Sequence, residues 1–332
     1  MEVRVARRVE LISILFHFAG GKGYNAFDTP YRRAVDKWFA PFVEHPAVLA
    51  SRELREKHGI SFNAPVGLAV FLDPDTLLPL VDLDSATELD ARWHGVPIRE
   101  YLEKVRAFHK EANVAGFFAE QAPYIEQVEK RLAGALLDEK IDEWFTNALV
   151  RDANTHFIVV PGLLTGPWNY DATAHDACGR RWVYQVVELE GAETNQGLPK
   201  PTHTTTELVA HEMSHSFVNP VVERHEDVLV PAAQPLFDHA REAMEKQRYT
   251  NTKIMVEESL VRAIAVFFAR DREGNAAASN LAHHDISHGF TWLLDLCTWL
   301  AQQKSPLDLE ALVPGLARFF GDEARRRAPA PA

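Results

Sequence analysis

The segment TTTELVAHEMSHSFVNP, residues 204–220, constrains the fold of this chain more than any other feature. His211 and His215 are four residues apart, so a helix would place both imidazoles on one face, one turn apart. The residues between and beside the two histidines are uncharged except for Glu212. This pattern predicts a half-buried helix with one polar face over residues 204–219.

The limits of this helix follow from short-range signals. The stretch TTTE, from Thr204 to Glu207, has the spacing of a capping box, which starts helices. The pair Asn219-Pro220 predicts the helix end, because proline disfavours the helical conformation of the residue before it.

The residue types in this helix are those of a zinc hydrolase. Zinc binds histidine nitrogens and prefers four ligands, so His211 and His215 could provide two of them. Glu212 lies one step around the helix, where it could take a proton from a metal-activated water and pass it to a leaving amine. The motif H-E-x-x-H therefore predicts a hydrolase with Glu212 as general base.

The third metal ligand decides the subclass. Val221 stands six residues after His215, where the metzincin pattern would have a histidine. We therefore expect an acidic ligand from a later part of the chain. The candidates are Glu223, Asp227, Asp238, Glu242, Glu257 and Glu258.

Two of these candidates are adjacent in an apolar helix predicted over residues 252–270. Glu257 and Glu258 lie within IMVEESLVRAIAVFF, and a buried carboxylate needs a partner, which a metal would supply. Arg262 follows Glu258 by four residues, so it could hold the outer oxygen of that carboxylate. The alternative is an ordinary surface ion pair along the helix.

A group that stabilises the oxyanion is expected in such a site. The sequence does not choose among Tyr170, Tyr184, Tyr249 and His288 for this role. The i, i+4 pair of His284 and His288 is interpreted as a surface cluster rather than a second metal site.

The predicted fold class is α+β and mostly helical, with a small sheet before the motif helix. Residues 1–150 are predicted to be mainly helical, apart from a strand in APVGLAVFL, and residues 151–332 to form the core around the motif. Strands within residues 155–191, in THFIVVPGLL and RRWVYQVVELEG, are predicted to pair as a hairpin. We expect both parts to form one continuous domain.

Charge and hydropathy limit the partners. The chain of 332 residues has a formal net charge of -12, which argues against nucleic acid and anionic membranes. No apolar run reaches the roughly 20 residues of a membrane span. The N-terminal segment is interpreted as a helix rather than a signal peptide, which slightly favours the cytoplasm and leaves a secreted or periplasmic location as the alternative. A peptide or protein substrate is expected, and the oligomeric state is left open.

The block HEMSHSFVNP followed by EESLVRAI resembles the bacterial family DUF4932, and this resemblance implies a metallopeptidase of the gluzincin type. The resemblance implies a zincin-like fold and one Zn²⁺ ion. It also implies that His211, His215 and Glu258 are the metal ligands and that Glu212 is the base. The alternative is a binding or scaffold protein that keeps the zincin fold without turnover.

Overall fold

The structure is a computed structural model. It describes residues 1–24, 27–84, 86, 89–138, 140–150, 154–165, 168–176, 178–189, 197–198 and 203–327. The chain divides into two compact units, Met1–Asp138 with Ala153–Thr205 and Glu139–Asp152 with Thr206–Ala332. The predicted division of the chain at residue 150 stays a prediction.

The first unit combines six α-helices with a four-stranded sheet, within the described residues. Its elements are β1 (Glu2–Val3), α1 (Arg7–Phe18), α2 (Pro30–Phe39), α3 (Pro46–His58), α4 (Asn63–Val70), α5 (Ile98–Glu111), α6 (Val114–Asp138), β2 (Thr155–Pro161), β3 (Tyr170–His175) and β4 (Arg181–Val187). The class predicted from the sequence, α+β and mostly helical, is confirmed.

The sheet has the strand order β1-β2-β4-β3. The central strands β2 and β4 are parallel, with Thr155 opposite Arg181 and Pro161 opposite Val187. Most of their residues are buried, as expected for strands that have neighbours on both sides and covered faces. β3 runs antiparallel to β4 and alternates buried with less buried positions.

The first unit also buries two ionisable residues of α1 within its apolar core. The Arg8 guanidinium donates to the Tyr184 hydroxyl at 2.5 Å and to the Leu72 carbonyl. The side-chain carboxyl group of Glu10 accepts the backbone N–H of Leu163 at 3.0 Å. These contacts connect α1 to the sheet and to the segments that follow α4 and β2.

The second unit is helical throughout its described residues. Its elements are α7 (Ile141–Ala148), α8 (His203–Arg224), α9 (Glu226–Lys246), α10 (Thr252–Glu273), α11 (Asn275–Ser287), α12 (Leu293–Ala301) and α13 (Leu309–Arg327). The first three residues of α8 fall in the first unit. The helix α10 is central, because α9, α11 and α12 all pack against it. None of the described helices has the length and apolar character needed to cross a membrane.

Two predictions about strands are wrong. The segment APVGLAVFL forms α4 instead of a strand, because a short run buried on nearly every side has no periodicity to distinguish the two. The predicted hairpin of β2 and β4 is a parallel pair, and β3 lies in the segment that we predicted as their loop. The sequence of β3, YDATAH, is poor in β-branched residues, so its strand propensity is low.

The predicted end of the motif helix is also wrong. α8 continues through Pro220 to Arg224, and the predicted connector after it is helical, with Pro231 and Pro235 inside α9. An interior proline costs a helix about 3 kcal/mol. The buried stripe Leu229, Ala233, Leu236 and Phe237 has helical spacing, and its burial offsets that cost.

Candidate metal centre

The helix α8 presents a polar stripe between buried apolar positions. His211, Glu212 and His215 are half-buried. The hydroxyl of Ser214, which is fully buried, donates to the Ala210 carbonyl at 2.8 Å, so the helix itself satisfies this polar group. α8 begins at His203, and the side chain of Thr204, the first residue of the capping box predicted over Thr204 to Glu207, lies outside the described residues.

The helix α10 supplies the acidic group. Its N-cap is Asn251, whose side chain accepts the backbone N–H of Ile254 at 2.9 Å. Glu258 lies in the second turn and is 8% exposed, and the residues around it, including Val256 and Leu260, are buried. A carboxylate in such a place needs a partner that restores the interactions lost with water.

His211, His215 and Glu258 converge at one point in the second unit. The Nε2 atom of His211 is 3.9 Å from Oε2 of Glu258, and Nε2 of His215 is 3.6 Å from Oε1. One ligand atom from each residue lies within 4.8 Å of the other two. Three donors at this separation could hold one metal ion.

The chemistry of the donors fits a metal ion. Two imidazoles and one carboxylate suit first-row divalent ions and leave further coordination positions open. The Oε2 atom of Glu258 is buried and has no hydrogen-bond partner within the described chain. A metal ion would supply the interaction that this oxygen lacks.

The electrostatic environment keeps His211 in its neutral, metal-binding form. Burial lowers the pKa of His211 well below its ordinary value, and the positive charges of His215 and Arg262 lower it further. A neutral imidazole offers a free nitrogen lone pair to a metal without first releasing a proton.

The neighbouring acid Glu257 is outside the three-residue cluster. Burial raises its pKa to about 7, the charges of Glu223 and Glu258 act in the same direction, and Lys253 and His215 oppose them. The geometry therefore brings Glu258, rather than Glu257, to the histidines.

Asn219 contacts one of the histidine ligands. Its side-chain oxygen lies 3.2 Å from Nδ1 of His215, one helical turn away. This contact fixes the orientation of the ring and directs Nε2 toward Glu258. This role was not predicted from the sequence, although the i, i+4 spacing of His215 and Asn219 was a usable signal.

Arg262 stands behind the carboxylate ligand. Its Nη2 atom is 3.4 Å from Oε2 of Glu258 and donates to the Tyr249 hydroxyl at 3.0 Å. Its Nη1 atom contacts the carboxylate of Asp285, and its guanidinium carbon lies 4.6 Å from the ring centre of Phe290. Arg262 was predicted from the sequence, whereas Asp285 and Phe290 were not, because they lie on later segments at no recognisable spacing.

The other predicted oxyanion groups have different surroundings. Tyr170 lies in β3 of the first unit, where its ring stacks on Tyr24 with 6.4 Å between centroids. Tyr184, in the same unit, bonds to Arg8. His288 is exposed, and its Nδ1 lies 2.8 Å from the carbonyl of His284, which confirms a surface position for this pair.

The remaining candidates for the third ligand are exposed and outside the cluster. Asp238 contacts Arg241, and Glu242 pairs with Lys246 at 2.8 Å. Glu223 and Asp227 lie on exposed positions of α8 and α9. All four acids are therefore solvated side chains in this structure.

A family model matches residues 1–308 of the chain, and its description is Domain of unknown function (DUF4932). No curated protein and no solved structure matches the chain. The match includes both compact units except for the last part of the second.

Proposed function

The chain belongs to the DUF4932 family, and we propose that it is a metal-dependent hydrolase that cleaves peptide bonds. The observation that supports this proposal is the convergence of His211, His215 and Glu258 in the helix pair that also presents Glu212. We further propose Zn²⁺ as the ion and a zincin-like arrangement of the gluzincin type.

The roles of the residues follow from their chemistry. His211 and His215 would bind the ion through Nε2, and Glu258 through its carboxylate. When bound, a zinc ion acts as a Lewis acid on the substrate carbonyl and increases the acidity of a water molecule. Glu212 takes the proton of the attacking water on a carboxylate oxygen and transfers it to the leaving amine nitrogen.

The surroundings of the donors support such a site. Asn219 holds the His215 ring at 3.2 Å, and burial keeps His211 neutral through its lowered pKa. Arg262 stands 3.4 Å from Glu258, where its positive charge favours the ionised carboxylate that binds a metal. The net charge of -12 favours a neutral or cationic peptide over an acidic one.

A comparison of the parent protein with Glu212→Gln tests the proposal. Glutamine keeps the shape of the side chain but cannot accept the proton, so we expect turnover of a mixed peptide library to fall by about 10²–10⁴-fold. Zinc content, measured by elemental analysis of untagged protein, should not change.

Each outcome has a separate meaning. A parent that binds zinc without cleaving any peptide would favour the binding or scaffold alternative. A parent that binds no divalent ion would contradict the metal centre itself. Activity that survives in Glu212→Gln would contradict the role of this residue as the base.

A further inference from the structure

The Arg262 guanidinium lies between two carboxylates and a phenol in the second unit. It contacts Asp285 through Nη1, donates to Tyr249 through Nη2 at 3.0 Å, and stays 3.4 Å from Oε2 of Glu258. Although a cation stands this close, Oε2 has no hydrogen-bond partner in the described residues. The arginine therefore donates its hydrogen bonds to other groups and keeps only an ion-pair contact with the ligand oxygen.

Asp285 is held firmly in place by the end of α11. It is 2% exposed, and its backbone carbonyl accepts the N–H groups of His288 and Phe290 at 3.1 and 3.2 Å. Phe290, which is fully buried, lies against the face of the guanidinium, 4.6 Å from ring centre to guanidinium carbon. The position of the arginine is thus set by the turn after α11.

The charges explain why this arrangement matters for a metal ion. A positive arginine beside Glu258 keeps that carboxylate ionised, but it also competes with a metal cation for the carboxylate and raises the electrostatic potential at the site. The negative charge of Asp285 compensates for Arg262 and also draws one edge of the guanidinium away from the ligand. Removing Asp285 would leave a buried cation whose nearest anionic partner is the ligand itself.

We propose that Asp285 is a positioning residue that holds Arg262 back from Glu258 and thereby sets the affinity of the site for a divalent ion. Tyr249 assists by accepting a hydrogen bond from the same guanidinium. The inference rests on the metal centre that we propose above. It adds Asp285 of α11 as a residue that sets the metal affinity, besides the donors on α8 and α10.

The test is the Zn²⁺ dissociation constant, measured by competition with a chromogenic chelator. We expect Asp285→Asn to weaken Zn²⁺ binding by about tenfold or more, the scale on which outer partners of ligands act. The double variant Asp285→Asn/Arg262→Met removes both charges, so its affinity should lie closer to that of the parent than that of Asp285→Asn does.

Glu323→Gln is the matched control. Glu323 is another buried carboxylate of this unit, it contacts Arg326 and Arg327 on α13, and it is not a member of the three-donor cluster. Because Glu323→Gln removes the negative charge that pairs with these arginines, it should lower the melting temperature of the metal-free protein without changing the Zn²⁺ dissociation constant.

Tyr249→Phe keeps the inference testable if Asp285→Asn does not fold, because it removes only one hydroxyl from a half-buried ring. Its Zn²⁺ affinity should fall by less than that of Asp285→Asn but measurably, and the visible spectrum of the Co²⁺ form should shift as the carboxylate moves.

The opposing outcomes are distinct. If the parent binds zinc, equal affinities in the parent, Asp285→Asn and Tyr249→Phe would overturn the positioning role alone. A double variant weaker than Asp285→Asn would also overturn it, because the two losses would then be independent. A parent that binds no zinc would overturn this inference together with the metal centre.

Discussion

Glu257 and Glu258 are adjacent acids in α10, and the structure places Glu258, but not Glu257, in the cluster with the two histidines. We expect Glu258→Gln to weaken Zn²⁺ binding by more than the roughly ten- to hundredfold that the loss of an outer partner costs, because it removes a donor. Glu257→Gln should bind zinc within a few-fold of the parent, since Glu257 is outside the cluster. Zinc titration of both variants measures the difference. The reverse result would assign the third ligand to Glu257 instead of Glu258.

A second prediction at the residue scale concerns Glu10, whose burial raises its pKa to about 8 although the Leu163 N–H and Tyr31 partly oppose the shift. Its ordinary value is about 4.3. Between these values the folded protein retains a proton that the unfolded chain has released, so the free energy of unfolding falls as the pH rises. Above about pH 8, Glu10 is ionised in both the folded and the unfolded state, so it causes no further fall in the free energy of unfolding.

Glu10→Gln does not titrate, so its stability relative to the parent should rise between pH 5 and pH 8, by up to about 4 kcal/mol. Urea unfolding of both proteins at several pH values measures this change. The control is Glu53→Gln, at an exposed position of α3 where Lys57 pairs with the acid. A relative stability of Glu10→Gln that is flat over this range would contradict the raised pKa.

Local spacing explains which site residues could be predicted. His211, Glu212 and His215 share one helix, and the positions of their side chains follow from 3.6 residues per turn. Glu258 required the further argument that an acid in an apolar helix needs a partner. Asp285 could not be predicted, because its contact with Arg262 depends on how α11 packs against α10.

At the scale of elements, burial overrides propensity where the predictions are wrong. The three prolines inside α8 and α9 are typical helix breakers, yet both helices continue through them because their apolar faces are covered. Short apolar runs are a second case, as α4 shows. A segment that is nearly fully buried has no alternation of polar and apolar residues from which a helix could be told from a strand. A glycine, Gly289, lies in the short segment between α11 and α12.

Gly289 sits in that break with φ at 106°, in the region that favours glycine. A Cβ added there would lie 2.5 Å from Cβ of Ala243 on α9. We expect Gly289→Ala to destabilise the second unit through both backbone strain and this overlap, together about 2–5 kcal/mol. Thermal unfolding followed by calorimetry measures the loss.

Gly274→Ala is the control for the overlap. Gly274 also has a positive φ, 91°, but a Cβ there would meet no atom within 4 Å. It should therefore cost about 1–3 kcal/mol from backbone strain alone. Equal losses in the two variants would show that α9 does not press on this turn.

At the scale of the whole molecule, the division into two units depends on contacts between distant parts of the sequence. The strand β1 pairs with β2, so that Glu2 lies opposite Ile158, and such a pairing leaves no local pattern in either segment. The strands after residue 154 therefore belong with the N-terminal helices, while all three proposed metal ligands belong to the second unit.

A metal ion held by α8 and α10 should stabilise the second unit. An ion that binds only the folded state adds about 4 kcal/mol when its free concentration is a thousand times Kd. Removal by a strong chelator should lower the melting temperature of this unit by several degrees, whereas its apolar core should keep the metal-free protein folded.

Calorimetry with and without chelator should give the same shift for the parent and for Glu212→Gln, because Glu212 is not a donor. His215→Ala should show almost no shift, since it has lost a ligand. A parent whose melting curve does not change after confirmed metal removal would contradict a metal bridge between these helices.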